Sequence, residues 1–237
     1  MQDQPSTTPP IGAVVPDATR REAPFRRELR GGGISLEPLD IDAHAAALYE
    51  ASHGDERRER CWTYMPAGPF ADEQELATWY RETGQNADPF FYAVLDQRTG
   101  MPRGVVSFLA IEPNHGSIEI GHIWYTPAAQ RTNVNTQTCF LLLTEAFDGL
   151  GYRRVEWKCH ALNARSRSAA LRLGFQFEGV FRQHRIVRGR NRDTAWFSII
   201  DSEWPAVRSA MQTWLSWDEA QGPRPGLSAI LSERRPR

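Results

Sequence analysis

At 237 residues, 41% hydrophobic and 11% aromatic, the chain is long enough to bury one substantial core, and we read one domain with tails. A formal net charge of -1, from 28 Lys and Arg against 29 Asp and Glu, gives no basis for nucleic-acid binding, which needs an excess or cluster of cations. Three cysteines (Cys61, Cys139, Cys159), odd in number and without CxxC spacing, argue against a disulfide framework or a zinc site, so no metal is expected. No apolar run approaches the roughly 18 residues of a membrane span, and Pro and Thr stand where a signal peptide would be basic and then apolar. A soluble, cytoplasmic protein with reduced thiols is expected.

Residues 1–30 carry Pro5, Pro9, Pro10, Pro16 and Pro24 among polar residues, too little apolar surface to offset ordering entropy, and read as a flexible extension. The glycine triplet Gly31–Gly33 opens the domain, taken as 31–218. A strand is predicted at Ile34–Leu39 and a helix at Ile41–Ala51. Asp72 as N-cap with Glu75 at the capping-box position starts a second helix running to about Thr83. Phe90–Leu95, Gly104–Ile111 and Ser117–Tyr125 read as an antiparallel meander, joined by turns at Asp96–Pro102 and at Pro113-Asn114-His115-Gly116. A helix follows from Asn135 to Leu150, with apolar residues at helical spacing. Next come a strand at Arg154–His160, a helix over Arg165–Leu173, and strands near Glu178–Arg188 and Thr194–Ile200. The strand–helix–strand segment demands a parallel crossover, giving a mixed α/β sheet. Residues 219–237 read as a C-terminal tail in which Leu227–Leu231 packs as a short helical turn.

Between the strand Ile118–Tyr125 and its helix lies the loop Gln130-Arg131-Thr132-Asn133-Val134-Asn135, whose one charge is Arg131. Alone it is either a capped strand-to-helix turn or a cradle of backbone N–H groups at a helix N-terminus, suited to a phosphate. Downstream stand Asn163-Ala164-Arg165-Ser166 and Leu173-Gly174-Phe175-Gln176-Phe177-Glu178-Gly179. This ordered set resembles the GCN5-related N-acetyltransferases (GNAT superfamily), and within them the Rim-type branch that acetylates ribosomal-protein N-termini.

The resemblance covers roughly Gly31 to Trp204. It implies a mostly antiparallel sheet with one parallel, splayed pair and flanking helices, acetyl-CoA as co-substrate and a primary amine as acceptor; it also leaves room for a homodimer through the late strands. The coenzyme would meet Ile123, Trp124, Tyr125, Gln130, Arg131, Thr132, Asn133, Val134, Asn135, Thr136, Asn163 and Ser166. Asn133 and Asn135 depart from the small residues usual in the family's loop. Glycine there would permit positive φ and close backbone approach; asparagine tolerates the left-handed region but adds bulk. The tyrosine that many family members carry as thiolate acid is Ala170 here, which leaves Ser166 for that role, or as a plain N-cap. With these losses, a catalytically degenerate acyl-CoA sensor or scaffold is the alternative function.

Strict alternation puts Glu119 on one face with Gly121, Ile123 and Tyr125, opposite Ile118, Ile120, His122 and Trp124. A carboxylate desolvated on a largely apolar face has its pKa raised towards the range of a general base, so Glu119 is the leading base and an acceptor-site residue, with His122 its rival. Glu178 and Asp193 rank lower as bases, and Cys159 as a covalent nucleophile lower still. The aromatic stretch Cys61–Phe70, with Trp62 and Tyr64, is either a wall of the amine pocket or a hydrophobic plug. The basic run Arg182, His184, Arg185, Arg188, Arg190, Arg192 suits an acidic acceptor, the coenzyme's 3′-phosphate, or a solvated face.

Overall fold

The computed structural model describes Pro9, residues 11–218, Ala220 and residues 222–234; the remainder of the extension and tail expected from the sequence lies outside the described residues. Eight strands form one sheet: β1 (Leu29–Gly31), β2 (Ile34–Pro38), β3 (Phe90–Asp96), β4 (Pro102–Glu112), β5 (Ser117–Tyr125), β6 (Arg154–His160), β7 (Gln176–Val187) and β8 (Arg190–Ile200). Their order is β1-β2-β3-β4-β5-β6-β8-β7. Every adjacent pair is antiparallel except β5 and β6, which the intervening helix makes parallel. The helices are α1 (Ile41–Ser52), α2 (Glu56–Glu59), α3 (Glu73–Thr83), α4 (Val134–Thr144), α5 (Ala164–Arg172), α6 (Trp204–Leu215) and α7 (Leu227–Arg234).

Local chemistry accounts for most boundaries. Asp72 Oδ1 accepts from Glu75 N at 2.8 Å, and Glu75 reaches back to Ala71 N at 2.7 Å, a capping box displaced by one residue. The two-residue turn Arg188-Gly189 has positive φ at both positions, 48° and 69°, and closes the long β7–β8 hairpin in the primed geometry that matches strand twist. The helix expected over Asn135–Leu150 is regular only to Thr144; Glu145–Gly149 continue it as one wide turn.

Alternation along the strands feeds two cores, one on each face of the sheet. One holds Tyr92, Val94, Val106, Ile118, Ile120, Val155 and Trp157 beneath α4, α6 and α7. The other holds Phe91, Val105 and Trp124 with Leu48 of α1, Leu76 and Tyr80 of α3, and Trp62 and Phe70. Helix α6 has no counterpart in the sequence reading. The short C-terminal turn is an eight-residue helix, and its Leu227, Ile230 and Leu231 sit in the first core.

Leu29, which begins β1, is also in that core, two residues before the glycine triplet where the sequence places the start of the domain. The preceding segment touches the domain at several points. Arg21 N donates to Pro113 O at 3.0 Å, Tyr152 Oη donates to Glu22 O at 3.0 Å, and Arg27 pairs with the buried Glu145.

Candidate active site

β5 departs from the simple alternation expected of it. Ser107 pairs with Gly121 and Val105 with Trp124, so Val106 stands opposite both His122 and Ile123. This is a β-bulge, with His122 at φ 49°. The extra residue inverts the side-chain sense beyond it. Glu119, Gly121, His122 and Trp124 therefore share the face of the second core, while Ile123 and Tyr125 pack against the first. The sequence-based placement of Glu119 and His122 on opposite faces is corrected by that one residue.

The ladder between β5 and β6 holds only at Ser117↔Arg154, Ile118↔Val155 and Glu119↔Glu156. Beyond Glu119 no pairing joins the two strands, and the stretch Ile120–Tyr125 presents a backbone edge free of β6. Glu119 stands where the strands part, 7% exposed. Its carboxylate is 2.8 Å from Lys158 Nζ, which also bridges Glu156 at 2.8 Å and lies 4.0 Å from the centroid of the Trp196 ring. Burial pushes the Glu119 pKa up, and the Lys158 ammonium opposes the rise. His122, held 2.9 Å from Ser107 Oγ and beside Phe91 and Trp79, is pushed down to about 4 by burial and then by Arg192, so it is neutral at physiological pH. Arg192 Nε and Trp196 Nε1 are buried nearby without hydrogen-bond partners.

Across the sheet, Trp157 Nε1 donates to Ser166 Oγ at 3.0 Å, and Ser166 N donates to Asn163 Oδ1 at 3.1 Å. Asn163 is thus the N-cap of α5, and the hydroxyl of Ser166 accepts from Trp157 and lies within hydrogen-bonding reach of the Cys159 thiol. Trp157 and Lys158 are neighbours on β6 and point to opposite faces. Ser166 and Glu119 accordingly flank the parted strands from the two sides of the sheet.

The loop before α4 is closed by its own side chains. Gln130 Nε2 donates to Tyr125 O at 3.0 Å, Thr132 Oγ1 donates to Ala129 O at 2.7 Å, and Val134 N donates to Thr132 Oγ1 at 3.2 Å. Asn133 precedes α4 with φ -75° and makes no side-chain cap. The left-handed residue is Arg131, at φ 63°. So Asn133 and Asn135 are not answering a demand for positive φ; their departure from small residues is one of bulk alone. With the cap missing, the first-turn N–H groups of Asn135 and Thr136 have no intrahelical acceptor and suit an anion. Tyr125 Oη lies buried beside Thr138 under this helix, its phenol pKa pushed up by desolvation.

The other sequence candidates separate clearly. Trp62 is fully buried, packed against Trp124 and Phe70, and belongs to the second core rather than to an open pocket wall. Trp124 is buried there too, its Nε1 donating to Tyr80 Oη at 3.0 Å, so only its backbone faces the parted strands. Tyr64, 41% exposed, reaches Leu162 O and stacks edge-on against His160, which ties the aromatic stretch to the end of β6. Arg188 donates to the carbonyls of Gly68 and Trp62 and pins the hairpin tip to the same stretch. Cys159 is buried with its thiol pushed up by burial, the opposite of an activated nucleophile. Glu178 is engaged by both Arg154 nitrogens at 2.6 Å, and Asp193 accepts from Gln183 N at 2.7 Å; both carboxyls are held below their usual range by these hydrogen bonds. Lys158, Glu156 and Arg172 were not singled out from the sequence, because strand pairing and helix packing, not local pattern, bring them in.

A sheet parted at one parallel pair, with a helix N-terminus on one side and a desolvated carboxylate on the other, is an arrangement suited to acyl transfer. Residues 34–176 match the family model described as an acetyltransferase (GNAT) domain, and the chain belongs to that family. The crystal structure of a GCN5-related N-acetyltransferase from Brucella melitensis is 42% identical and superposes with a TM-score of 0.85, covering 90% of this chain and 98% of that one. YdaF of Bacillus subtilis (strain 168), provisionally named a ribosomal N-acetyltransferase, is 27% identical over 175 residues, 71% of this chain and 90% of the relative. The ribosomal-protein-serine acetyltransferase of Escherichia coli (strain K12) is 33% identical over 101 residues, 42% of this chain and 56% of the relative. The chain is an N-acyltransferase with a GNAT fold. Among the described residues no group of His, Cys, Asp and Glu is placed to hold a metal ion, and no helix is long and apolar enough to cross a membrane.

Proposed function

We propose that this protein transfers the acetyl group of acetyl-CoA to a primary amine by direct attack within a ternary complex. The observation that carries the reading is the end of the β5–β6 ladder at Glu119↔Glu156: it leaves a slot, one edge of which is unpaired backbone. The coenzyme supplies an activated thioester; its phosphates suit the first-turn N–H groups of α4 that no side chain caps, and Gln130, Arg131, Thr132, Asn133, Val134, Asn135 and Thr136 form that rim. Asn163 and Ser166 stand further along the slot.

Glu119 takes the proton from the amine, directly or through water. Burial raises its pKa and so strengthens it as a base, and the Lys158 ammonium beside it favours the ionised form. Backbone N–H groups of Ile123–Tyr125 stabilise the charge that develops on the carbonyl oxygen. Ser166, oriented by Trp157, donates a hydrogen bond to the departing sulfur, which leaves as a thiolate and takes its proton from solvent. Tyr64 borders the acceptor side.

The names of the relatives make protein N-termini the first acceptor class to test. The experiment is thiol release from acetyl-CoA over peptides with free N-termini, polyamines, aminoglycosides and amino-acid derivatives. Release with one class, lost on blocking its amine, is expected. Coenzyme binding without release across the whole panel would reject the catalytic reading of this site.

A further inference from the structure

A second feature borders the same loop, where α5 meets the first turn of α4. A cavity of about 510 Å³ is lined by Arg131, Asn133 and Asn135 of the loop and first turn, Arg172 of α5, Trp214 of α6 and Arg224. Arg224 lies in the segment leading to α7, well beyond the matched family domain. No carboxylate is among the lining residues, and none of the three arginines makes an ion pair among the described residues. This concentration of charge stands out on a chain whose net charge is -1.

The arginines are held in place. Arg172 Nη1 donates to Thr136 Oγ1 at 2.8 Å, which presses its guanidinium against the first turn of α4. Burial lowers its pKa, opposed only by the Cys139 thiol and the Tyr125 phenol and by no carboxylate. The Arg224 guanidinium sits 4.7 Å from the Trp214 ring centroid, a cation–π arrangement that fixes a long, exposed side chain over an aromatic face. The segment is anchored at both ends: Trp217 Nε1 donates to Gly222 O at 3.0 Å, and Leu227 enters the core.

We infer that the C-terminal segment completes the coenzyme site, with Arg172 and Arg224 forming a clamp on the phosphates of acetyl-CoA and Trp214 positioning Arg224. The inference rests on the proposed use of acetyl-CoA. Paired cations lining one cavity recognise a phosphate dianion or a pyrophosphate by charge-assisted hydrogen bonds. They also compensate for the bulk of Asn133 and Asn135: where side chains stand off the backbone cradle, guanidinium groups lining the same cavity restore contact.

Isothermal titration of the full chain with acetyl-CoA and with acetyl-3′-dephospho-CoA tests this. Arg224→Ala and Arg172→Ala are each expected to weaken acetyl-CoA binding about tenfold or more, the usual range for hydrogen bonds to charged groups, with kcat at saturating coenzyme within about twofold of the parent. Arg224→Lys, which keeps the charge, is expected to recover most of the affinity. If Arg224 serves the 3′-phosphate, the parent loses affinity for the dephospho coenzyme and Arg224→Ala loses no more. If it serves the pyrophosphate, the variant loses the same factor on both ligands. Either pattern supports the clamp. Arg224 is exposed, so an unchanged melting temperature without ligand verifies folding. Parent-like binding by both alanine variants would overturn the inference while leaving the proposed function intact; failure of the parent to bind either coenzyme would reject both.

Discussion

Glu119 is the residue on which the proposed chemistry turns, and its environment gives it a measurable signature. Because burial raises its pKa, the carboxylate form is lost as pH falls through that raised value, and the rate should fall with it. Glu119→Gln is expected to abolish this acid limb and lower kcat by about 10²–10⁴, with little change in coenzyme affinity. Lys158→Met should move the limb to higher pH, since it removes the cation that opposes the rise. It should also destabilise the fold by about 3 kcal/mol by leaving the buried Glu119 without its cation, next to the half-buried Glu156, which keeps Arg154. A pH–rate profile and denaturant unfolding of the two variants check both halves. His122 gives a separate pH effect. Its folded pKa of about 4 lies below the unfolded value near 6.5, so the unfolded chain binds more protons between those pH values. Stability is full above about pH 6.5 and declines as pH falls towards 4, by up to about 3 kcal/mol, and His122→Gln should remove that part of the decline. An unfolding free energy with the same pH dependence in parent and variant would contradict the burial of a neutral imidazole. Among the candidate site residues, Glu119 stands out locally as a carboxylate within an apolar strand, and Asn163 and Ser166 stand out through the family resemblance of their Asn-x-x-Ser; the role of each belongs to the proposal. Lys158 and Arg172 do not stand out in the sequence, since one meets Glu119 across a strand pair and the other meets Thr136 across a helix contact.

At the scale of elements, the bulge in β5 is what sequence alternation could not show. A period of two is legible only while the pairing register is unbroken, and nothing in His122-Ile123 announces that the two share one partner on β4. The close contact that supports this register falls at Gly104, with φ 155°. A Cβ there would lie 2.0 Å from Trp124 O and 2.9 Å from Tyr125 Cα, both backbone atoms that cannot move aside. Gly104→Ala is therefore expected to cost about 2 kcal/mol or more and to disturb the Trp124–Tyr125 end of β5, on the stretch unpaired with β6. Gly179→Ala on β7, where an added Cβ meets nothing within 4 Å, should stay within about 0.5 kcal/mol of the parent. Equal unfolding midpoints for the two variants would rule out a packing role for Gly104. Elements with strong local signals, such as the capped α3 and the alternating β6, match their sequence reading within a residue or two. By contrast, β1 was hidden because Leu29 sits in an Arg-rich run whose composition resembles an unstructured tail, although one buried leucine and three paired residues suffice to add it to the sheet edge.

For the whole molecule, the coenzyme site as proposed spans three separate parts of the chain: the loop before α4, helix α5, and the segment after α6 that ends in the core-packed α7. Ligand that binds only this assembled arrangement must stabilise the fold globally, by about 2.7 kcal/mol at a coenzyme concentration one hundred times Kd. For a domain of this size each kcal/mol raises Tm by about 2–4 °C, so acetyl-CoA is expected to raise Tm by about 5–10 °C. The shift should shrink as salt rises from about 50 to 500 mM, because it depends on cations meeting phosphates, while the unliganded Tm of a chain with net charge -1 moves far less. Arg224→Ala should keep the unliganded Tm and lose much of the shift at a fixed coenzyme concentration. Thermal denaturation at two salt concentrations, with and without acetyl-CoA, checks this. A shift insensitive to both salt and Arg224 would mean that binding energy comes from the pantetheine arm in the slot and that the cationic cavity beside α4 takes no part in holding the coenzyme.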